Sequence, residues 1–217
     1  MKRLIFIIIV LIAFHASAQI PYFAPTIGNN RLYGYTSLKF RPGQNAQETY
    51  TTFQYGIGKY VAVGLDLATA NSSTNGGILA RIGFPISKWF QIGAQITGSF
   101  NLNHNLDYSY LTNALYMNGA ITRDSRLFWN SNTWYTLNRN SKNTISQYLY
   151  LGYTVTLPKG QTITPMVGTI YSWEFNQDAD IAIGAYWSIQ KFNVYLWSND
   201  LLKSHPRIVV GVDFALF

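Results

Sequence analysis

The 217-residue chain contains no cysteine. That excludes disulfide staples and every metal site built on thiolates. Charge is also scarce, with Asp, Glu, Lys and Arg together at 12%, about half the share of an ordinary soluble domain. A soluble fold would lack a solubilising surface. Long apolar runs are missing after Phe14, so a bundle of membrane helices, each needing about 20 apolar residues, is excluded as well. No block of five like charges occurs, which removes the usual footprint of a nucleic-acid-binding segment. There is no phosphate-cradling glycine loop and no Gly-x-Ser-x-Gly turn.

What the chain has instead is aromatic residues, at 16%, and alternation. The clearest case is the last stretch, Arg207 to Phe217. Ile208, Val210, Val212, Phe214 and Leu216 fall on one side of an extended strand, and Val209, Gly211, Asp213 and Ala215 on the other. One greasy side and one small or polar side, with a period of two, is the pattern of a membrane-spanning β-strand. This ending resembles the C-terminal assembly signal of Gram-negative outer-membrane β-barrels. The matching residues are Gly211, Phe214 three positions later, Leu216 five positions later, and the terminal Phe217. The resemblance implies a location in the cell outer membrane, contact with its lipid, and handling by the barrel-assembly machinery during insertion.

The start of the chain fits export. Lys2 and Arg3 precede the apolar run Leu4 to Phe14, and Ala16-Ser17-Ala18 follows. This is the order of a secretory signal peptide, and the run is too short to span a bilayer. The expected division is a signal peptide over 1–18 and one barrel domain over 19–217. Without a cysteine at the cleavage point there is no lipoprotein anchor. Removing Lys2 and Arg3 from the 16 basic residues leaves 14 against 9 acidic ones. The mature chain is then mildly basic, and the secretory route excludes nucleic acid as a partner.

Between these ends the alternation predicts an all-β fold, a closed antiparallel transmembrane β-barrel of about 12 strands, with 10 or 14 also compatible. Gln19 to Asn30 reads as a periplasmic lead-in. The expected strands are roughly Leu32–Arg41, Glu48–Ile57, Val61–Leu67, Ile78–Phe84, Phe90–Thr97, Tyr108–Thr122, Leu127–Leu137, Ile145–Leu157, Thr162–Trp173, Ile181–Ile189, Phe192–Ser198 and Arg207–Phe217. The two sides separate poorly between 108 and 140, where Asn113, Asn118, Asn130 and Asn132 interrupt the pattern. Pro165 demands a local distortion. The turns near Gly58-Lys59, Ile86–Lys88, Arg123–Arg126, Pro158–Gly160 and Gln190-Lys191 are expected to be tight and periplasmic, with both termini on that side. Polar tips such as Asn71–Asn75 and Asn101–Asp107 are expected to face outside. Tyr60, Trp89, Trp173, Trp187 and Phe192 lie near strand ends, as an interfacial aromatic girdle requires.

The lumen side is the place for function. Gly56, Gly64, Gly83, Gly93, Gly152, Gly184 and Gly211 fall there, with Tyr33, Tyr35, Tyr148, Tyr150, Tyr186 and Tyr195. Rings laid over glycines pack a curved barrel, so a constricted lumen is expected rather than a wide pore. Lys39, Asp66, Arg81 and Asp213 are the expected lumen charges. They form either a selectivity set or internal pairs that stiffen the barrel, Asp213 with Arg81 or Lys39 among them. No catalytic set, cofactor or metal is expected, since His104 and His205 are isolated on outer loops. The leading reading is a small porin-like channel for polar or weakly anionic solutes. The alternatives are a non-conducting barrel that anchors a protein partner, and an outer-leaflet lipid hydrolase that would use His205.

Overall fold

A strand placed in hydrocarbon must satisfy its backbone groups on both edges, and only a closed sheet leaves no edge. The computed structural model shows this closure for the residues it describes, 27–45, 47–71, 73–172 and 177–216. The expected signal peptide over 1–18 and most of the lead-in lie outside the described residues, as do Trp173 and Phe217.

Thirteen strand segments follow one another: β1 (Leu32–Phe40), β2 (Gln47–Gly56), β3 (Val61–Ala70), β4 (Ser73–Ser87), β5 (Phe90–Asn101), β6 (Asp107–Ala120), β7 (Leu127–Asn138), β8 (Thr144–Tyr153), β9 (Val155–Thr156), β10 (Thr162–Ser172), β11 (Gln177–Ile189), β12 (Phe192–Asn199) and β13 (Arg207–Leu216). β8 and β9 are two parts of one barrel strand. Both pair antiparallel with β10 in a single register, Gly152 opposite Met166 and Val155 opposite Ile163. The gap between them lies beside Pro165, which has no N–H to give to a ladder. The distortion expected at Pro165 therefore takes the form of a break in the neighbouring strand. The hydroxyls of Thr154 and Thr164 bridge the gap at 3.1 Å.

The result is a ring of twelve antiparallel strands. β1 pairs with β2 on one edge and with β13 on the other, Leu32 opposite Leu216 and Phe40 opposite Ile208. β10 pairs with β11, so the sheet has no free edge. β1 starts and β13 ends at the same rim, here called the near end, beside the turns 57–60, 88–89, 121–126, 157–161 and 190–191.

Three expected turns differ from the structure. The polar tip at Asn71–Asn75 is much shorter, because the ladder continues to Ala70 opposite Ser73, with Asn71 in the left-handed region at φ 43°. Ser73, Thr74 and Asn75 belong to β4. At the other end of β4 the strand runs through Ile86 to Ser87, because a bulge between Pro85 and Ser87 absorbs the extra residue. The near-end turn 121–126 is longer than expected. Within it the Thr122 hydroxyl donates to Asp124 Oδ1 at 2.6 Å and the Arg126 N–H donates to the same oxygen at 3.1 Å.

Alternation sorts the side chains as a membrane barrel requires. Leu65, Ile78, Ile96, Val167, Leu196 and Val210 are exposed on the outside, while Tyr33, Gln54, Asp66, Arg81, Tyr116 and Asp213 are buried inside. Aromatic rings gather outside at the near end. Phe53 and Phe192 each lie 6.3 Å from Phe214, and Phe90 stacks on Trp129 at 6.0 Å. Trp187 and Phe192 are exposed at that level, and Tyr60 packs on Phe84 at 5.1 Å.

Candidate functional site in the barrel lumen

The lumen has two unlike parts. In the half nearer the termini the side chains are packed solid. Ile27, Tyr33, Tyr35 and Ala62 form one cluster, so the described end of the lead-in closes the rim from inside. A second cluster, of Phe128, Tyr150, Met166, Tyr186, Tyr195 and Trp197, runs from this half up into the wall of the far part. Much of this packing is rings on glycine. A Cβ on Gly152 would stand 2.4 Å from the Phe128 ring, one on Gly184 2.4 Å from Trp197, and one on Gly211 2.3 Å from Tyr195. Such contacts require glycine, because a Cβ would displace the ring.

Arg81 sits in this packed layer at 4% exposure. Its Nε and Nη2 donate to Gln95 Oε1 at 2.9 and 2.7 Å, Nη2 donates to the Tyr116 hydroxyl at 3.0 Å, and the guanidinium lies 4.4 Å from the Tyr116 ring centre. The Gln95 amide in turn donates to Thr97 Oγ1 at 3.0 Å. A charge in low dielectric persists only when it is well hydrogen-bonded, and Gln95 and Tyr116 supply acceptors to Nε and Nη2. Asp213 accepts a hydrogen bond from Asn193, directly across the β12–β13 ladder.

Toward the far end the lumen opens into a cavity of about 270 Å³. Its walls are aromatic. Tyr35 and Tyr50 lie 5.3 Å apart, Tyr148 stacks with Tyr150 at 6.2 Å, and Tyr150 meets Trp197 at 4.8 Å. Lys39 and Arg207 supply two positive charges and Asp66 one negative charge. Lys39 Nζ is 6.0 Å from the centre of the Tyr50 ring, and the Tyr50 hydroxyl donates to Asp66 Oδ2 at 2.5 Å. Asp66 Oδ1, Asn132 Oδ1 and Asn199 Oδ1 are buried in cavity-lining residues and accept no hydrogen bond among the described residues. Buried acceptors without partners are costly, so these three oxygens suit a cavity filled by water or a polar solute.

Of the four charges expected in the lumen, the structure brings Lys39 and Asp66 to the cavity and leaves Arg81 and Asp213 in the packed layer below. Asp213 is not beside Lys39. It pairs with Tyr35, and Lys39 sits four residues further along β1 opposite Val209 and Glu48. Arg81 and Asp66 lie within electrostatic reach of each other. In the expected assembly signal, Gly211 faces the lumen beneath Tyr195, whereas Phe214 lies outside over Gly34. Leu216 pairs with Leu32, and Phe217 lies outside the described residues.

Sequence reasoning missed Arg207, Tyr50, Tyr110 and Trp134, all of which line the cavity. Arg207 was within reach, since it shares the parity of Val209, Gly211 and Asp213. His104 and His205 lie on far-end loops, and the His205 carbonyl accepts a 2.6 Å hydrogen bond from Arg41. The same guanidinium pairs with Asp200 at 2.5 Å, tying the loop before β13 to the end of β1.

No protein-family model and no curated protein sequence matches the chain. Solved structures do match in fold. A KdgM porin in complex with disordered oligogalacturonate superposes with a TM-score of 0.64 at 12% identity, covering 85% of this chain and 99% of that one. A second KdgM porin structure gives 0.61 at 12% identity, with the same coverage. The NanC porin gives 0.59 at 11% identity, covering 83% of this chain and 98% of its own. With its closed ring and apolar exterior, the chain is an outer-membrane β-barrel that shares the fold of these porins.

Proposed function

We propose that the barrel is a narrow channel for polar, weakly anionic solutes, which enter through the aromatic cavity at the far end. The observation that carries this reading is the cavity itself. It combines stacked rings, two cations against one carboxylate, and three buried oxygens that the described residues leave without donors. Rings offer flat apolar faces, and Lys39 and Arg207 offer charge. An acidic oligosaccharide such as the oligogalacturonate named with the KdgM porin would use both. With both termini periplasmic, as in outer-membrane barrels generally, the cavity faces outward.

The experiment is conductance of the refolded barrel in planar bilayers, with reversal potentials in a salt gradient. Stable steps with a preference for anions are expected, and Lys39→Gln with Arg207→Gln should reduce that preference severalfold. A wild type without anion preference, or a double variant that keeps it, would sink the assignment of these two residues.

The packed layer around Arg81 supports a second reading, a closed barrel that serves as an anchor for a protein partner. A silent bilayer, from protein whose heat-modifiable gel migration shows that it has folded, would favour that reading. Neither reading uses catalysis. A lipid hydrolase would instead require outer-leaflet lipid to be cleaved and cleavage to cease with His205→Ala.

A further inference from the structure

Most outward side chains of the barrel are apolar or carry a single hydroxyl, and among the described residues outward amides at mid-depth are confined to one sector. On β6 the outward side reads Leu111, Asn113, Leu115, and Asn113 is the seventh of fourteen residues, at mid-depth. On β7 the outward Thr133 is the seventh of twelve and pairs with Leu115. On β8 the outward Gln147 pairs with Thr133 across the next ladder. Two amides and a hydroxyl thus lie close together on three adjacent strands, Gln147 opposite Thr133 and Asn113 diagonal to it. None of the three makes a side-chain hydrogen bond among the described residues.

Elsewhere the barrel solves the same problem within itself. On β1 and β2 the outward hydroxyls of Thr36 and Thr51 bond each other at 2.9 Å. Lipid chains offer neither donors nor acceptors, so an amide facing them is left unsatisfied. Such side chains drive association of membrane segments. Whatever covers this sector must present donors and acceptors at the same depth.

We propose that a second copy of this chain covers it. Asn and Gln each carry donors and an acceptor, so the sector is complementary to itself. Two copies in one membrane run in the same direction, and a twofold axis along the membrane normal brings the same surface of each together. Asn113 near such an axis meets Asn113 of the other copy reciprocally. Gln147 and Thr133 flank that contact, and Leu115 and Leu149, both exposed in one copy, pack around it.

The absence of cysteine makes a clean test. Leu115→Cys places a thiol beside the amides without removing them. Leu196→Cys, exposed on β12 five strands round the ring from β6, is the control. Both are refolded in lipid vesicles at low protein-to-lipid ratio and treated with copper–phenanthroline, with heat-modifiable migration reporting the fold. Disulfide-linked dimer should form at least tenfold faster at position 115 than at 196. Adding Asn113→Leu and Gln147→Leu should abolish most of that difference. Equal rates at the two positions, or a position-115 rate that the two leucines leave unchanged, would overturn the proposal.

Discussion

Arg81 carries a full charge into a part of the lumen that water hardly reaches. Its two hydrogen bonds to Gln95 Oε1 and its contact with Tyr116 hold it there. Arg81→Met keeps the bulk and removes the charge, but leaves that buried oxygen with only the longer 3.3 Å hydrogen bond from the Tyr116 hydroxyl. Losing both charged donors to a buried acceptor costs about 1–3 kcal/mol, and the lost cation–π contact adds about 1 kcal/mol. Urea unfolding of the refolded barrel in vesicles should therefore show Arg81→Met destabilised by about 2–4 kcal/mol. Arg81→Lys should fall between it and wild type, since an ammonium keeps the charge but not the fork. An unchanged midpoint in Arg81→Met would mean that the network contributes nothing net.

At the level of elements, closure rests on β13 meeting β1, and Gly211 is where that seam is tightest. A Cβ there would stand 2.6 Å from the Thr36 carbonyl oxygen, a backbone atom that cannot swing away, and 2.3 Å from the Tyr195 ring. Gly211→Ala should cost about 1–3 kcal/mol, as overpacking does. Gly58→Ala, in a turn with nothing within 4 Å of the added methyl, should stay within about 0.5 kcal/mol of wild type. The two midpoints, measured side by side, separate a seam effect from a general glycine effect. Strands such as β3 and β13 were legible in the sequence because their outward residues, Val61 to Leu67 on β3 and Ile208 to Leu216 on β13, are apolar. β6 and β7 were not, because polarity occupies both sides. Asn118, Asn130 and Asn132 point inward, while Asn113 and Thr133 point outward. A period of two cannot be seen when both phases are polar. The short turn at Asn71 was hidden for a related reason, since Ser, Thr and Asn at a strand end resemble a loop.

For the whole molecule, periodicity says which residues face the lumen but not which of them meet across it. Arg81 reaches Tyr116 from two strands away, thirty-five positions along the chain, and that meeting depends on strand stagger, which only the folded ring reveals. The same holds for the split between cavity and packed layer. Lys39 and Asp213 looked equivalent as lumen charges, yet one lines the cavity and the other lies below it. This division makes conduction a question about the layer rather than the cavity. Tyr33 within the layer and Tyr186 where the cavity meets it are each 1% exposed, so solute passing the cavity must displace them or their neighbours. Truncating both to alanine should open a water-filled path and raise single-channel conductance severalfold, at a stability cost of several kcal/mol typical of large-to-small changes in a packed core. If the wild type is silent and the double variant conducts, the layer is the closure of the barrel. If conductance in a folded double variant does not exceed that of wild type, solute takes a path that the two tyrosines do not block, and the packed layer is no barrier.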